Sequence, residues 1–232
     1  MMAAPLGIIM LDTTFPRPPG DVGNPASWPF PVLYRTVSGA TARRVVSGQD
    51  GPLLDAFVAA GEDLHRAGAC AVTTSCGFLV LRQQALAARL PLPVATSSLL
   101  QVAAVAATLP LCRQVGVITY DASALTAAHF AAAGLTAVPP VAGLPRGGAF
   151  HGMIEGGQPY DRAALGAELR AVARGLIARV PDIGALVLEC TNLPPFSALL
   201  AEDTGLPVYD ILTLGRWLHA AATPPAPAAE GN

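Results

Sequence analysis

Two cysteines in this chain occupy matching places. "AVTTSCGF" (71–78) runs from an apolar stretch into a small polar turn with Cys76 at the seam, and "ALVLECTN" (185–192) repeats the plan with Cys190. Each is followed by small or polar residues at a strand-to-helix junction. Backbone N–H groups there lack internal partners and favour anions. They should lower a thiol's pKa or hold a carboxylate. A thiolate so placed is a base or a nucleophile, and if the two halves of the chain face one another both cysteines line one cleft from opposite walls.

The other two cysteines fit a plainer role. Cys70, in the body of a strand, and Cys112, between a helix and a strand, read as small buried hydrophobes. Metal binding has little support, because there is no CxxC spacing and no histidine within a short ligand interval of either thiol. A Cys/His hydrolase needs a histidine within reach of its nucleophile. His65, His129 and His219 fall on expected helices, which leaves His151, in an expected loop. GxSxG, P-loop and GxGxxG motifs are absent, so nothing calls for ATP or a dinucleotide.

The elements that must position the thiols alternate. Apolar strands are expected at 6–12, 69–75, 92–96, 114–120, 184–189 and 206–210. Ala/Leu-rich helices are expected at 52–67, 78–89, 97–108, 123–133, 161–179, 195–203 and 212–221. Such alternation favours an α/β fold with mostly parallel strands. Cys76 and Cys190 are 114 positions apart, and the same shift carries Leu92-Pro93-Val94 onto Leu206-Pro207-Val208. "GIIMLD" (7–12) and "GVITYD" (116–121) also match. The chain therefore reads as two copies of one unit, each a strand ending in Asp, a helix, a strand ending in Cys, a helix, and a Leu-Pro-Val strand. Ligands of open parallel sheets sit beyond the carboxyl ends of the strands, where Asp12, Cys76, Asp121 and Cys190 all fall. The expected division is 1–97 plus 208–222 for the first lobe and 98–207 for the second, with a disordered Pro/Ala-rich tail at 223–232. The Pro/Gly-rich stretch 13–32, with Phe15, Trp28 and Phe30, is expected to be a lid over the cleft. A second irregular stretch, 138–161, is expected to flank it.

Composition sets the outer limits. Of 232 residues, 52% are hydrophobic and 13% charged, which marks a globular chain. The net charge is −2, and the 14 Lys plus Arg form no basic stripe, which argues against nucleic acid or an anionic membrane as partner. "MMAAPLGIIMLD" lacks a basic start and reads as a first strand rather than a signal peptide. "SLLQVAAVAATLPL" is too short to span a bilayer. Four cysteines in such a chain suggest free thiols in a reducing, cytoplasmic setting.

The paired motifs "TTSCGF" and "LECTNLPP", on a duplicated α/β chain of this length, resemble the aspartate/glutamate racemase superfamily. That superfamily also holds hydantoin racemases, maleate isomerase and arylmalonate decarboxylase. The resemblance runs from about Gly7 to His219. The first motif departs from the Cys-Asn-Thr form common among glutamate and aspartate racemases, because Gly77 and Phe78 follow Cys76. The glutamate racemases' Asp-Ser opening is replaced by "LDTTFPRPPGD".

The resemblance implies two pseudo-symmetric α/β lobes, each a mostly parallel four-stranded sheet flanked by helices, with the site in the cleft between them. It implies cofactor-independent proton transfer at the carbon next to a carboxylate or carbonyl, with Cys76 and Cys190 on opposite faces of a small-molecule carboxylate substrate. It also implies dimers or larger homo-oligomers. The first expectation is a racemase or epimerase of an amino acid or hydantoin. A maleate-type isomerase, an arylmalonate-type decarboxylase, a hydrolase using His151 and a non-catalytic binding protein stay open.

Charge developing on the substrate would be held by donors around Ser75, Gly77, Phe78, Thr191 and Asn192, with Thr119 from the second half. Thr74 is expected to point into the sheet. Asp12 could orient a substrate amine or a thiol, and Arg17 could pair with a distal carboxylate. Phe78 and Trp28 would suit a substrate less polar than glutamate.

Overall fold

The computed structural model describes residues 4–224. Residues 225–232, most of the expected disordered tail, lie outside the described residues.

The first half lays down β1 (Leu6–Leu11), β2 (Val32–Val37), α1 (Ala42–Val46), α2 (Leu54–Arg66) and β3 (Ala71–Thr74). A 3-10 segment, Gly77–Arg82, then leads into α3 (Gln83–Arg89) and β4 (Val94–Ala95). The second half runs through α4 (Val102–Thr108), β5 (Gln114–Thr119), α5 (Ala127–Ala132), β6 (Val141–Gly143) and α6 (Ala149–Ile154). It continues through α7 (Arg162–Arg179), β7 (Ile183–Leu188), α8 (Ser197–Thr204) and β8 (Val208–Tyr209), and ends with α9 (Ile211–Ala222).

Two four-stranded sheets result, ordered β2-β1-β3-β4 and β6-β5-β7-β8, with every pairing parallel. The same order in both lobes is the duplication expressed in space. β1 is buried along its whole length and β7 nearly so. That follows from apolar runs such as "LGIIML" covered by helices on both faces.

The edge strands β2 and β6 were not expected. β2, "VLYRTV", is half exposed and mixes Arg35 and Thr36 into its pattern. β6 is three residues long and follows Pro139-Pro140 within the stretch expected to be irregular, which also holds α6. Pairing to β1 and β5 makes these segments strands, because an edge strand needs no continuous apolar run.

The lobes are laced together. α4 packs on β5 and β7, while α9 packs on β3 and β4, so the last helix of each repeat lies on the other repeat's sheet. The chain returns to the first sheet at Asp210, just past the expected boundary, because Val208 and Tyr209 pair with β7. Ser98 Oγ donates to Leu188 O at 2.6 Å and Gln101 Nε2 to Asp210 O at 2.9 Å across the seam. No helix among the described residues is long and apolar enough to cross a membrane.

The expected lid divides in two. Thr13, Phe15 and Arg17 line the cleft. Trp28 instead plugs the far side of the first sheet, with Ile8, Met10 and Leu214. Its indole N–H donates to Val22 O at 3.0 Å, and a methyl added at Gly215 of α9 would overlap its ring. Phe30 stacks on His219 with centroids 3.6 Å apart. Trp28 therefore has no part in substrate choice. Trp28→Ala should lower unfolding stability by about 3–5 kcal/mol in urea denaturation, the cost of a large aromatic removed from a core; a lid residue would lose almost nothing.

Candidate functional site

Both thiols line one cavity at the carboxyl ends of β1, β3 and β7. It holds about 30 Å³ of free space, enough for a few waters. Leu11, Phe15, Phe78 and Tyr120 wall it, with Arg17 and Glu189 as its charged lining.

Backbone chemistry sets the two cysteine turns against each other. Ser75 N–H continues the ladder by donating to Ile9 O at 2.9 Å, while its hydroxyl oxygen accepts from Leu11 N–H at 2.8 Å. Thr191 Oγ donates to Ser75 O at 2.6 Å, tying the second turn to the first. Cys76 is extended (φ −154°, ψ 119°) and precedes the 3-10 segment, so the N–H groups of Phe78 and Leu79 face its sulfur. Cys190 receives one such contact, from Asn192 N–H.

The residue that sequence reasoning missed is Glu189. Its side chain is fully buried and lines the cavity between the two thiols' turns. Oε2 accepts from Thr119 Oγ at 2.7 Å, and Oε1 has no partner. Burial pushes the carboxyl up from its ordinary 4.5 to about 7, against the opposing pull of Thr119 and of Tyr120 N–H. A methyl added at Gly77 would overlap both the Glu189 carboxylate and its carbonyl oxygen. The glycine that departs from the Cys-Asn-Thr form is thus the space that admits Glu189. The sequence did hold a clue: a glutamate ending the apolar run "ALVL" must point into an interior.

The thiols are not activated as expected. Burial pushes both well above the ordinary thiol range, and the Glu189 charge pushes them further. The facing N–H groups work in the expected direction but are outweighed, because no cation stands beside either sulfur. Each thiol is a neutral S–H in the closed cavity.

Arg17 is in the cavity, but its charge is already committed. Its Nη1 donates to the buried Asp21 Oδ1 at 2.8 Å, its Nη2 donates to Thr13 Oγ at 2.8 Å, and its guanidinium lies 4.7 Å from the Phe15 ring centroid. Asp21 Oδ2 accepts from Asn192 Nδ2 at 2.8 Å. Only the NH2 group can donate to a carboxylate, so this contact turns Asn192 Oδ1 toward Cys190, whose Sγ donates to it at 3.7 Å. The chain Arg17–Asp21–Asn192 therefore holds Cys190 as a thiol.

The structure brings Ser75, Cys76, Gly77, Phe78, Arg17, Cys190, Thr191 and Asn192 to this cavity and leaves two expected residues out of its lining. Asp12 is exposed in a neighbouring groove, where it accepts from Gly39 N–H at 2.9 Å and caps a loop. Thr119 lies behind Glu189 and clamps it. Thr74 points into the sheet as expected, donating to Thr96 O. His151 lies on α6 rather than in a loop and stacks on Tyr120 at 4.1 Å, outside the cavity lining. His129 packs edge-on behind Phe78 at 5.2 Å. Cys70 is half-buried, but Cys112 is exposed, because it sits in the turn closed by Arg113 N–H donating to Pro110 O. Among the described residues no cluster of His, Cys, Asp or Glu could hold a metal. The chain contains no lysine with which to form an imine.

No protein-family model matches the chain. It aligns with the dimethylsulfoniopropionate lyase of Durusdinium sp. clade D at 32% identity over 217 residues, covering 90% of this chain and 72% of that protein. It aligns with dimethylsulfoniopropionate lyase 5 of Emiliania huxleyi (strain CCMP1516) at 28% identity, covering 94% of this chain and 45% of that protein. The chain thus spans about half the length of the Emiliania protein. Among solved structures, unliganded arylmalonate decarboxylase superposes with a TM-score of 0.63 at 19% identity, over 99% of this chain and 97% of that one. Allantoin racemase from Pseudomonas fluorescens superposes with a TM-score of 0.60 at 16% identity, over 97% and 100%. The structural likenesses establish the fold. These sequence relatives carry the name of a lyase rather than a racemase, so the expected racemase activity is unconfirmed.

The raised Glu189 carboxyl makes stability depend on pH. Unfolded, it titrates near 4.5; folded, near 7. Between those values the folded state binds the extra proton, so stability falls as pH rises. Replacing Glu189 by Gln should shrink the loss of unfolding stability between pH 4.5 and pH 8 by about 3 kcal/mol in denaturant titrations. An unchanged pH profile would mean that the carboxyl is hydrated.

Proposed function

The chain belongs to the family of the Durusdinium dimethylsulfoniopropionate lyase and has the fold of arylmalonate decarboxylase and allantoin racemase, and on that premise we propose that it is a lyase removing the proton next to a carboxylate and expelling a sulfide from the neighbouring carbon. For dimethylsulfoniopropionate, a Cys thiolate takes the α-proton. The electron pair of that C–H bond forms the C=C bond, and the C–S bond breaks with its pair leaving on sulfur. The products are acrylate, neutral dimethyl sulfide and a protonated thiol, whose proton goes to solvent before the next turnover.

One observation carries this reading: two thiols of unequal surroundings line one cavity in a chain with that relationship. Two N–H groups face the Cys76 sulfur. Cys190 has one such contact and is held as a donor by Asn192 Oδ1. Cys76 is accordingly the base, and Cys190 stays protonated. Elimination needs a single base, whereas racemisation from either enantiomer favours two equal ones. The resting thiols are neutral, and a cationic substrate supplies what they lack. A positive charge within a few ångströms favours a thiolate. The carboxylate, on which charge builds as the proton leaves, has the Ser75 hydroxyl proton to meet it.

Racemisation of an amino acid by the same two cysteines is the second reading, favoured by both thiols reaching one cavity. Headspace chromatography and proton NMR separate the two. The wild type should release dimethyl sulfide and acrylate in equal amounts. Cys76→Ser should lower that rate by about a hundredfold or more, and Cys190→Ser by less. The reverse order would move the base to Cys190, and full activity in both variants would end the thiol mechanism. Exchange of α-protons of single amino-acid enantiomers in D₂O, without sulfide release, would establish the racemase instead.

A further inference from the structure

We propose that Glu189 is the specificity-determining residue of the cavity, its unpartnered Oε1 receiving the onium group of a substrate that carries a sulfonium or quaternary ammonium two carbons from its carboxylate. Only the cleavage of that substrate rests on the elimination reading; the recognition rests on the following geometry.

Glu189 is a fully buried carboxylate with one oxygen clamped by Thr119 and the other free. Buried acceptors are ordinarily paired, and buried carboxylates ordinarily have a cation. Here the cation is missing: no ion pair among the described residues involves Glu189, and Arg17 in the same cavity is bound to Asp21. Room for this arrangement exists because residue 77 is glycine, since any side chain there would occupy the carboxylate's place. Three aromatic residues, Phe15, Phe78 and Tyr120, stand in the same lining among aliphatic and small polar ones. Aromatic faces beside a carboxylate suit an alkylated cation, which has a delocalised positive surface and no N–H to satisfy. A primary ammonium carries three donors, and the free carboxylate oxygen answers one of them. A metal ion would need several oxygen ligands, which the site does not gather.

The test compares two ligands of one shape. 3-(Trimethylammonio)propionate and 4,4-dimethylpentanoate share the carboxylate, the chain length and the three methyl groups, and differ in the positive charge. Isothermal titration calorimetry of the wild type should show the betaine binding about tenfold or more tighter than its all-carbon isostere. In Glu189→Gln, checked for folding by circular dichroism, that preference should fall to near unity. Equal binding of the two by the wild type, binding of neither, or an undiminished preference in the variant would overturn the proposal. The wild-type comparison needs no variant to fold. Because the readout is binding, a charge preference without sulfide release would defeat the lyase reading alone. Sulfide release with no charge preference would defeat this inference alone.

Discussion

Glu189 follows the buried strand β7 with a carboxylate that has no ion-pair partner among the described residues, and the site is shaped by that uncompensated charge. An isolated carboxylate in an apolar setting is expensive, and the usual remedies are neutralisation or a partner. This one is partly neutralised, titrating near pH 7, and partly supported by Thr119. The remaining imbalance spreads to its neighbours. Burial raises both thiols and this charge raises them further, so the resting cavity holds S–H groups rather than thiolates. It also makes the cavity attractive to a positive ligand, and such a ligand would move every one of these groups toward its ionised form. Binding and activation are then the same electrostatic event.

Duplication explains why two thiols meet, and departures from the duplication explain why they differ. Both repeats bring a cysteine to the carboxyl end of a central strand, and crossed packing of α4 and α9 holds the two ends together. The first repeat has Gly77 after its cysteine; the second has Glu189 before and Asn192 after. Gly77 and Glu189 are complementary in volume across the seam. Asn192 has no equivalent in the first repeat, and through Asp21 it ties Cys190 to the loop that carries Arg17. A symmetric scaffold has thereby acquired an asymmetric centre.

Much of this was legible in the sequence because burial on both sheet faces leaves continuous apolar runs. Those runs marked β1, β3, β5 and β7, and the matched cysteines marked the ends that meet. The edge strands β2 and β6 escaped because exposure removes the pattern. Trp28 looked like part of a lid because nothing local reveals that Gly215, far along the chain, leaves space for its ring. Asp12 has the right position at a strand end, yet the Gly39 N–H takes its carboxylate. The thiol pKa shifts came out opposite in sign because local N–H groups can be read from a turn, whereas desolvation by a second lobe cannot. Glu189 directly precedes Cys190, but its residue type alone marks no role. Its significance depends on the absence of a cation, which only the packed structure reveals.

The most direct test of this account is the ionisation of Glu189 itself. Carbon-13 NMR of protein labelled at the glutamate carboxyl carbons, with Glu189→Gln to assign the resonance, follows it through pH. The account predicts a carboxyl titrating near pH 7 that shifts to lower pH when 3-(trimethylammonio)propionate binds. A Glu189 resonance titrating near 4.5, unmoved by that ligand, would contradict it.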